Sequence, residues 1–185
     1  TYASPGVIDV IENSLKSELV GKDPLDIERL WNDMYWKVRG YGRKGIAFCA
    51  ISAIDIGLWD LKGKYLNQPV YLLVGGPVTE TMPVYASMLG FNATDMGLVK
   101  ERSKETQKKG FKAQKWFFRY GPGDGAEGLE KNVNLVKTLR ETLGPMDDIM
   151  LDCWQSFDVS YTIKLTERIE EYYPRWIEEC LMPDR

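Results

Sequence analysis

Four short apolar runs recur in the second half of the chain: MPVYASM (82–88), AQKWFF (113–118), DIMLDC (148–153) and RWIEE (175–179). Successive runs start 27 to 35 residues apart. That is too long for hairpins and matches the pitch of a strand, a crossover helix and their loops. The spacing therefore predicts parallel strands near 82–87, 113–118, 148–152 and 175–178. The intervening segments agree. A polar helical stretch closes at Gly110, and from about 126 to 143 Leu129, Val133, Val136, Leu139 and Leu143 form a stripe. Asp158 is placed to cap a further helix carrying Tyr161, Leu165, Ile169 and Tyr172. Four such units are either half of an eight-unit barrel or part of an open sheet.

The first part, to about residue 68, reads as helical. In SPGVIDVIENSLKSELVG, Ser4 is a candidate N-cap, Pro5 takes the first helical position, and Ile8, Ile11, Leu15 and Leu19 fall at helical spacing. In DPLDIERLWNDMYW, Asp23 is the candidate cap, Pro24 follows, and Ile27, Leu30, Trp31 and Met34 share a stripe. A third helix, GIAFCAISAIDIGLWDLKGKYL, is apolar enough to be buried on more than one side, with Ala47, Ile51, Ile54, Leu58 and Leu61 lining one face. Pro69 and Gly75–Gly76 then break the pattern.

Bulk properties exclude several classes of function. The 185 residues are 44% hydrophobic and 28% charged, with a formal net charge of −3. These are ordinary values for a soluble globular protein, and Lys and Arg form no block that would suit nucleic acid. No apolar run reaches the ~20 residues needed to cross a bilayer, and TYASPGVIDV lacks the pattern of a signal peptide. The three cysteines, Cys49, Cys153 and Cys180, lie far apart in apolar contexts and read as buried, reduced thiols. A cytoplasmic location is expected. The chain has no histidine, so any chemistry here uses carboxylates, lysines or groups supplied from elsewhere.

Functional residues of parallel βα folds gather at the carboxyl ends of the strands. Asp152 and Glu178 are both placed there, each after an apolar run. Two such acids on neighbouring strands can share a hard cation such as Mg²⁺; the alternative is that they face solvent or cap the next helix. Lys115, on the preceding strand, either snorkels from an edge or points at the same site, where it would neutralise developing negative charge. GDGAEG (123–128) matches the G-x-G-x-x-G fingerprint and raises a dinucleotide-binding oxidoreductase as an alternative. Against it, four residues separate the glycines from the strand, and Asp124 and Glu127 place negative charge where a pyrophosphate would sit.

AISAIDIGLWDLKGKYLNQPVYLLVGG (50–76) resembles the stretch joining capping domain to barrel in the mandelate racemase branch of the enolase superfamily. LDCW followed by RWIEE is similar to the first two metal-ligand strands of that family. Within it, GRKG (42–45), YGPGDGAEGLEKN (120–132) and LDCWQSFDVSYT (151–162) look most like the acid-sugar dehydratases that act on L-rhamnonate. The resemblance implies an α/β fold. Residues 1–76 would be the helical part of an α+β capping domain, and 77–185 about the first four βα units of a partial TIM-type (β/α) barrel. It implies Mg²⁺ as cofactor, with Asp152 and Glu178 as metal ligands and Lys115 as a catalytic residue, the first lysine of a K-x-K pair. Phe117 stands in place of the second. The implied reaction removes the proton α to a carboxylate, through a metal-stabilised enolate, and yields a 2-keto-3-deoxy acid. A third metal ligand and a catalytic histidine are expected outside this segment, which alone is expected to be inactive. A small acid sugar and assembly into a homo-oligomer are the expected partners, with neither nucleic acid nor membrane. A racemase, epimerase or cycloisomerase of the same superfamily, and a non-catalytic fragment or assembly subunit, remain alternatives.

Overall fold

The computed structural model describes residues 4–42 and 44–183; Arg43 of the GRKG stretch lies outside them. The chain divides into two compact units, Thr1–Thr81 and Met82–Arg185. Among the described residues no helix is long and apolar enough to cross a membrane.

The first unit is helical: α1 (Gly6–Val10), α2 (Ile27–Val38), α3 (Gly45–Leu66) and the short α4 (Val70–Leu73). Three sequence expectations shift here. The first helix does not run evenly to Gly21. It widens into a π turn at Ile11–Leu15 and tightens into a 3-10 turn at Lys16–Glu18. The wide turn changes the phase of the stripe, so Val7 is buried in place of Ile8, which is exposed. The second helix starts at Ile27, because the Asp23 carboxylate takes the Leu25 N–H at 2.9 Å and closes a turn instead of capping a helix. Finally, α3 is not buried on several sides. The core of this unit joins Val7, Leu15, Met34 and Val38 to Ala47, Ala50 and Ile51, and takes in no α3 residue beyond Ile54. Ile56, Leu61, Tyr65 and Leu66 are exposed.

The second unit alternates strands and helices as the spacing predicts: β1 (Ala86–Ser87), α5 (Met96–Lys108), β2 (Ala113–Phe117), α6 (Gly125–Leu143), β3 (Asp148–Asp152), α7 (Val159–Ile169) and β4 (Trp176–Glu178). The strands form one parallel sheet in sequence order. β1 is shorter than 82–88 because Ala86 pairs with Gln114, so residues before 85 lie beyond the start of β2. Asp158 caps α7 as expected, accepting from the Tyr161 N–H at 2.7 Å.

The sheet's alternation separates two functions. Trp116, Ile149 and Leu151 point to the helices and pack with Val136, Leu139, Leu165 and Ile169 in the main core. Lys115, Asp152 and Glu178 share the opposite face. Arg140 ties the amino-terminal ends together: Nε donates to the Tyr172 carbonyl (2.8 Å), Nη1 to those of Gly144 (2.7 Å) and Asp147 (2.8 Å), and Nη2 to that of Tyr173 (3.0 Å). An ammonium cannot span these four carbonyls as the planar guanidinium does. Arg140→Lys is expected to lower unfolding stability by about 1–3 kcal/mol, read from the midpoint of urea denaturation, because partly buried carbonyls lose their donors.

Candidate metal centre

Three residues named from sequence meet at the carboxyl end of the sheet. Phe117 pairs with Asp152, and Asp152 pairs directly with Glu178. Neighbouring parallel strands lie about 4.8 Å apart, so carboxylates at paired positions come within reach of one cation. Here that cation is the ammonium of Lys115, two residues back along β2 and on the same face. Its Nζ donates to Asp152 Oδ2 at 2.9 Å and also to Glu178 Oε1.

The other carboxylate oxygens are held as well. Asp152 Oδ1 accepts the backbone N–H of Trp154 at 2.9 Å, and Glu178 Oε2 accepts the indole N–H of Trp176 at 2.8 Å. All four oxygens are therefore oriented before any ligand arrives. Lys115 and Asp152 are buried; Glu178 is half-buried. Aromatic rings form the wall: Lys115 Nζ lies 5.7 Å from the Tyr85 ring centre and 5.5 Å from that of Phe117. The Tyr85 ring packs edge-on against Trp176, and that of Phe117 against Trp154.

Burial alone would lower the Lys115 pKa, but the hydrogen bonds to Glu178 and Asp152 outweigh it and hold the group above the ordinary lysine range. Burial likewise acts to raise that of Glu178, and the bonds from Lys115 and Trp176 outweigh it and hold the carboxyl below its usual range. Lys115 is thus a fixed cation at neutral pH and cannot take a proton there.

Backbone strain marks the same end of the sheet. Trp154 and Gln155, just past β3, have φ of 45° and 58°, and Glu179, just past β4, has 50°. None is glycine, and such left-handed conformations cost about 1–3 kcal/mol each. They turn the chain so that the Trp154 N–H points back at Asp152. No residue type marks this in advance, since Trp, Gln and Glu carry no left-handed preference. The role of Trp176 was legible in principle: it stands two residues before Glu178 and so shares its face.

The GDGAEG segment folds differently from a dinucleotide loop. Asp124 Oδ2 accepts the Gly121 N–H at 2.8 Å, which puts a carboxylate of the chain's own at the start of α6. Gly128 is required for packing: a Cβ there would sit 2.3 Å from that of Asp124.

Among the described residues no three His, Cys, Asp or Glu side chains gather as a metal site. Two pre-oriented carboxylates still fit Mg²⁺, which takes oxygen ligands and is commonly held by one or two carboxylates with water or substrate oxygens completing the shell. That both carboxylates already converge on one positive charge is the observation that carries the fit.

A parallel βα sheet that gathers two acids and a lysine at its strand ends defines a class of α/β proteins with a polar site at the carboxyl end of the sheet. The comparisons narrow it. The profile described as "Mandelate racemase / muconate lactonizing enzyme, N-terminal domain" matches residues 3–75, and that described as "Enolase C-terminal domain-like" matches residues 98–185. The chain belongs to the mandelate racemase/muconate lactonizing enzyme family. It is 36% identical over 184 residues to L-rhamnonate dehydratase of Saccharopolyspora erythraea, covering 100% of this chain and 44% of that protein. It superposes with a TM-score of 0.83 on rhamnonate dehydratase from Gibberella zeae complexed with Mg, at 36% identity, covering 98% of this chain and 42% of that one. A racemase from Streptomyces coelicolor A3(2) with bound magnesium gives a TM-score of 0.88 at 31% identity, covering 100% and 50%. The chain thus spans less than half the length of these two dehydratases.

Replacing Lys115 by Met would leave two facing carboxylates without a shared counter-charge. Its raised pKa means that the lysine's contribution persists below about pH 10 and is lost as pH rises through the folded value. The lowered pKa of Glu178 means that its contribution exists above about pH 4 and is lost as pH falls through the folded value. Lys115→Met is therefore expected to cost about 1–3 kcal/mol between pH 6 and 9 and less below pH 4, as measured by urea unfolding in metal-free buffer. Removing one partner of a fully buried pair would cost more, but Glu178 is partly screened by water.

Proposed function

We propose that this chain is part of a Mg²⁺-dependent hydro-lyase that dehydrates a sugar acid of the L-rhamnonate kind. The observation that carries the reading is the convergence of Asp152 and Glu178, at paired strand ends, on a single cation. The identity of 36% to an L-rhamnonate dehydratase along the whole of this chain supports the substrate class. In this reading residues 1–76 are the helical part of a capping domain and 77–185 the first half of a (β/α) barrel; the division into compact units at 81/82 supports it. The cytoplasm is the proposed compartment, in keeping with three free thiols.

Asp152 and Glu178 would hold the metal, with their oxygens aimed by Trp154 and Trp176. When bound, Mg²⁺ would supply a Lewis acid to a substrate carboxylate and to the charge that develops on it. Lys115, held protonated, would place a second positive charge beside that carboxylate. Loss of the proton α to the carboxylate is matched by departure of the 3-hydroxyl as water; the enol so formed becomes a 2-keto-3-deoxy acid. Lys115 cannot be the base while it is protonated, and Phe117, two residues on along the same face, has no proton to exchange. The base is therefore assigned to residues outside this chain. The likeness to a racemase of the same family favours one second reading, in which the same proton is removed and returned and no water is lost.

The test uses the protein as made from its own gene, with Mg²⁺ and a panel of acid sugars, and measures 2-keto-3-deoxy acid. Asp152→Asn is expected to abolish turnover while leaving the fold intact. Lys115→Met is expected to lower kcat by about 10²–10³-fold with a smaller effect on KM. Full activity of Asp152→Asn on a confirmed substrate would refute the ligand assignment, and epimerised acid without keto acid would replace dehydration by racemisation.

A further inference from the structure

Cys153 and Cys180 are 27 residues apart in sequence, yet the fold brings their sulfurs to 3.7 Å. The sequence reading of three separated, buried thiols is corrected here: Cys49 is exposed, Cys153 is buried and Cys180 is half-buried. Their meeting follows from the sheet. Cys153 is the residue after β3 and Cys180 lies two beyond β4, and the chain segments there are already bonded. The Cys153 N–H donates to the Glu178 carbonyl at 3.1 Å and the Phe157 N–H to that of Cys180 at 3.0 Å. Each cysteine also adjoins a carboxylate of the candidate metal centre: Asp152 precedes Cys153, and Glu178 stands two before Cys180.

We propose that Cys153 and Cys180 are a disulfide-forming dithiol, and that forming the bond disturbs the Asp152–Glu178 site; this second half rests on reading those acids as metal ligands. A disulfide needs an S–S distance of about 2.05 Å, so the sulfurs must approach by about 1.7 Å. The sequence of steps follows from exposure. Cys153 is buried and so shielded from a diffusing oxidant. Cys180, the more accessible sulfur, is the one a peroxide reaches. Its thiol takes one oxygen from hydrogen peroxide, giving a sulfenic acid and one water as the O–O bond is reduced. The Cys153 sulfur then attacks the Cys180 sulfur; the S–O bond breaks, a second water leaves with the Cys153 proton, and the S–S bond forms. The two thiols lose two electrons in all, and peroxide accepts them. Any resulting shift in the backbone at 153 moves Asp152 and the Trp154 N–H that orients it, and a shift at 180 moves the end of β4.

The test treats the protein, made from its own gene and freed of added thiol reductant, with hydrogen peroxide. Free thiols are then alkylated and the digest is mapped by mass spectrometry. The expected result is one cross-linked pair joining Cys153 to Cys180, two hydrogens lighter than the separate peptides. It is reversed by a thiol reductant and absent from Cys153→Ser and Cys180→Ser, while Cys49 is alkylated. Sulfinic acid at Cys180 without a cross-link, or full alkylation of both residues after peroxide, overturns the proposal. Mg²⁺ titration of the reduced and oxidised forms by calorimetry addresses the coupling, with an expected loss of affinity of about tenfold or more on oxidation. Equal affinity overturns the coupling while the dithiol stands. A reduced protein that binds no Mg²⁺ removes the coupling together with the metal reading, and leaves the cross-link result to stand alone.

Discussion

Two carboxylates on paired residues of adjacent parallel strands repel each other, and the repulsion grows as water is excluded. The positive charge of Lys115 is what lets Asp152 and Glu178 occupy those positions as anions. The dependence runs both ways, since the two acids are what keep a buried lysine protonated. Nothing in the hydrophobic core requires any of the three, which sit on the face of the sheet turned away from the helices. Their arrangement adds little to stability that a set of apolar residues could not match. Its consequence is a pair of anionic groups with a preset geometry that face one counter-charge.

The scaffold supplies that geometry through features with separate physical causes. Register sets which residues are paired, and alternation sets which face they share. The positive φ angles at Trp154, Gln155 and Glu179 bend the chain just past each acid and turn a backbone N–H onto Asp152. At the other end of the sheet, Arg140 collects carbonyls from the loops after α6 and α7, so strain at the site is opposed by a fixed base. The same convergence of β3 and β4 brings Cys153 against Cys180. A sulfur pair beside a carboxylate pair is thus a consequence of one register.

Much of this was legible in the sequence, for reasons that can be named. The strand pitch needs no tertiary information, and Asp152 and Glu178 could be placed because each ends an apolar run. The direction of Lys115 stayed open between edge and site, because both faces of β2 carry large residues. The less legible features have several causes. The π turn near Ile11 and the late start of α2 follow from local hydrogen bonds that compete with helix. The exposure of the later part of α3 could not be read from its composition, because apolar residues around a whole helix say that it can be buried and not what covers it. The approach of Cys180 to Cys153 follows from how β4 lies beside β3, which pitch alone does not specify.

If Asp152 and Glu178 form one divalent-cation site, as proposed, the Lys115 ammonium gives way to the ion. Anomalous diffraction from crystals soaked in Mn²⁺, a substitute for Mg²⁺ with a measurable signal, tests it most directly. The account predicts one peak about 2.1 Å from an oxygen of each carboxylate, with Lys115 no longer bonded to both acids. A map in which Lys115 still bridges Asp152 and Glu178, with Mn²⁺ absent or bound elsewhere, would contradict it.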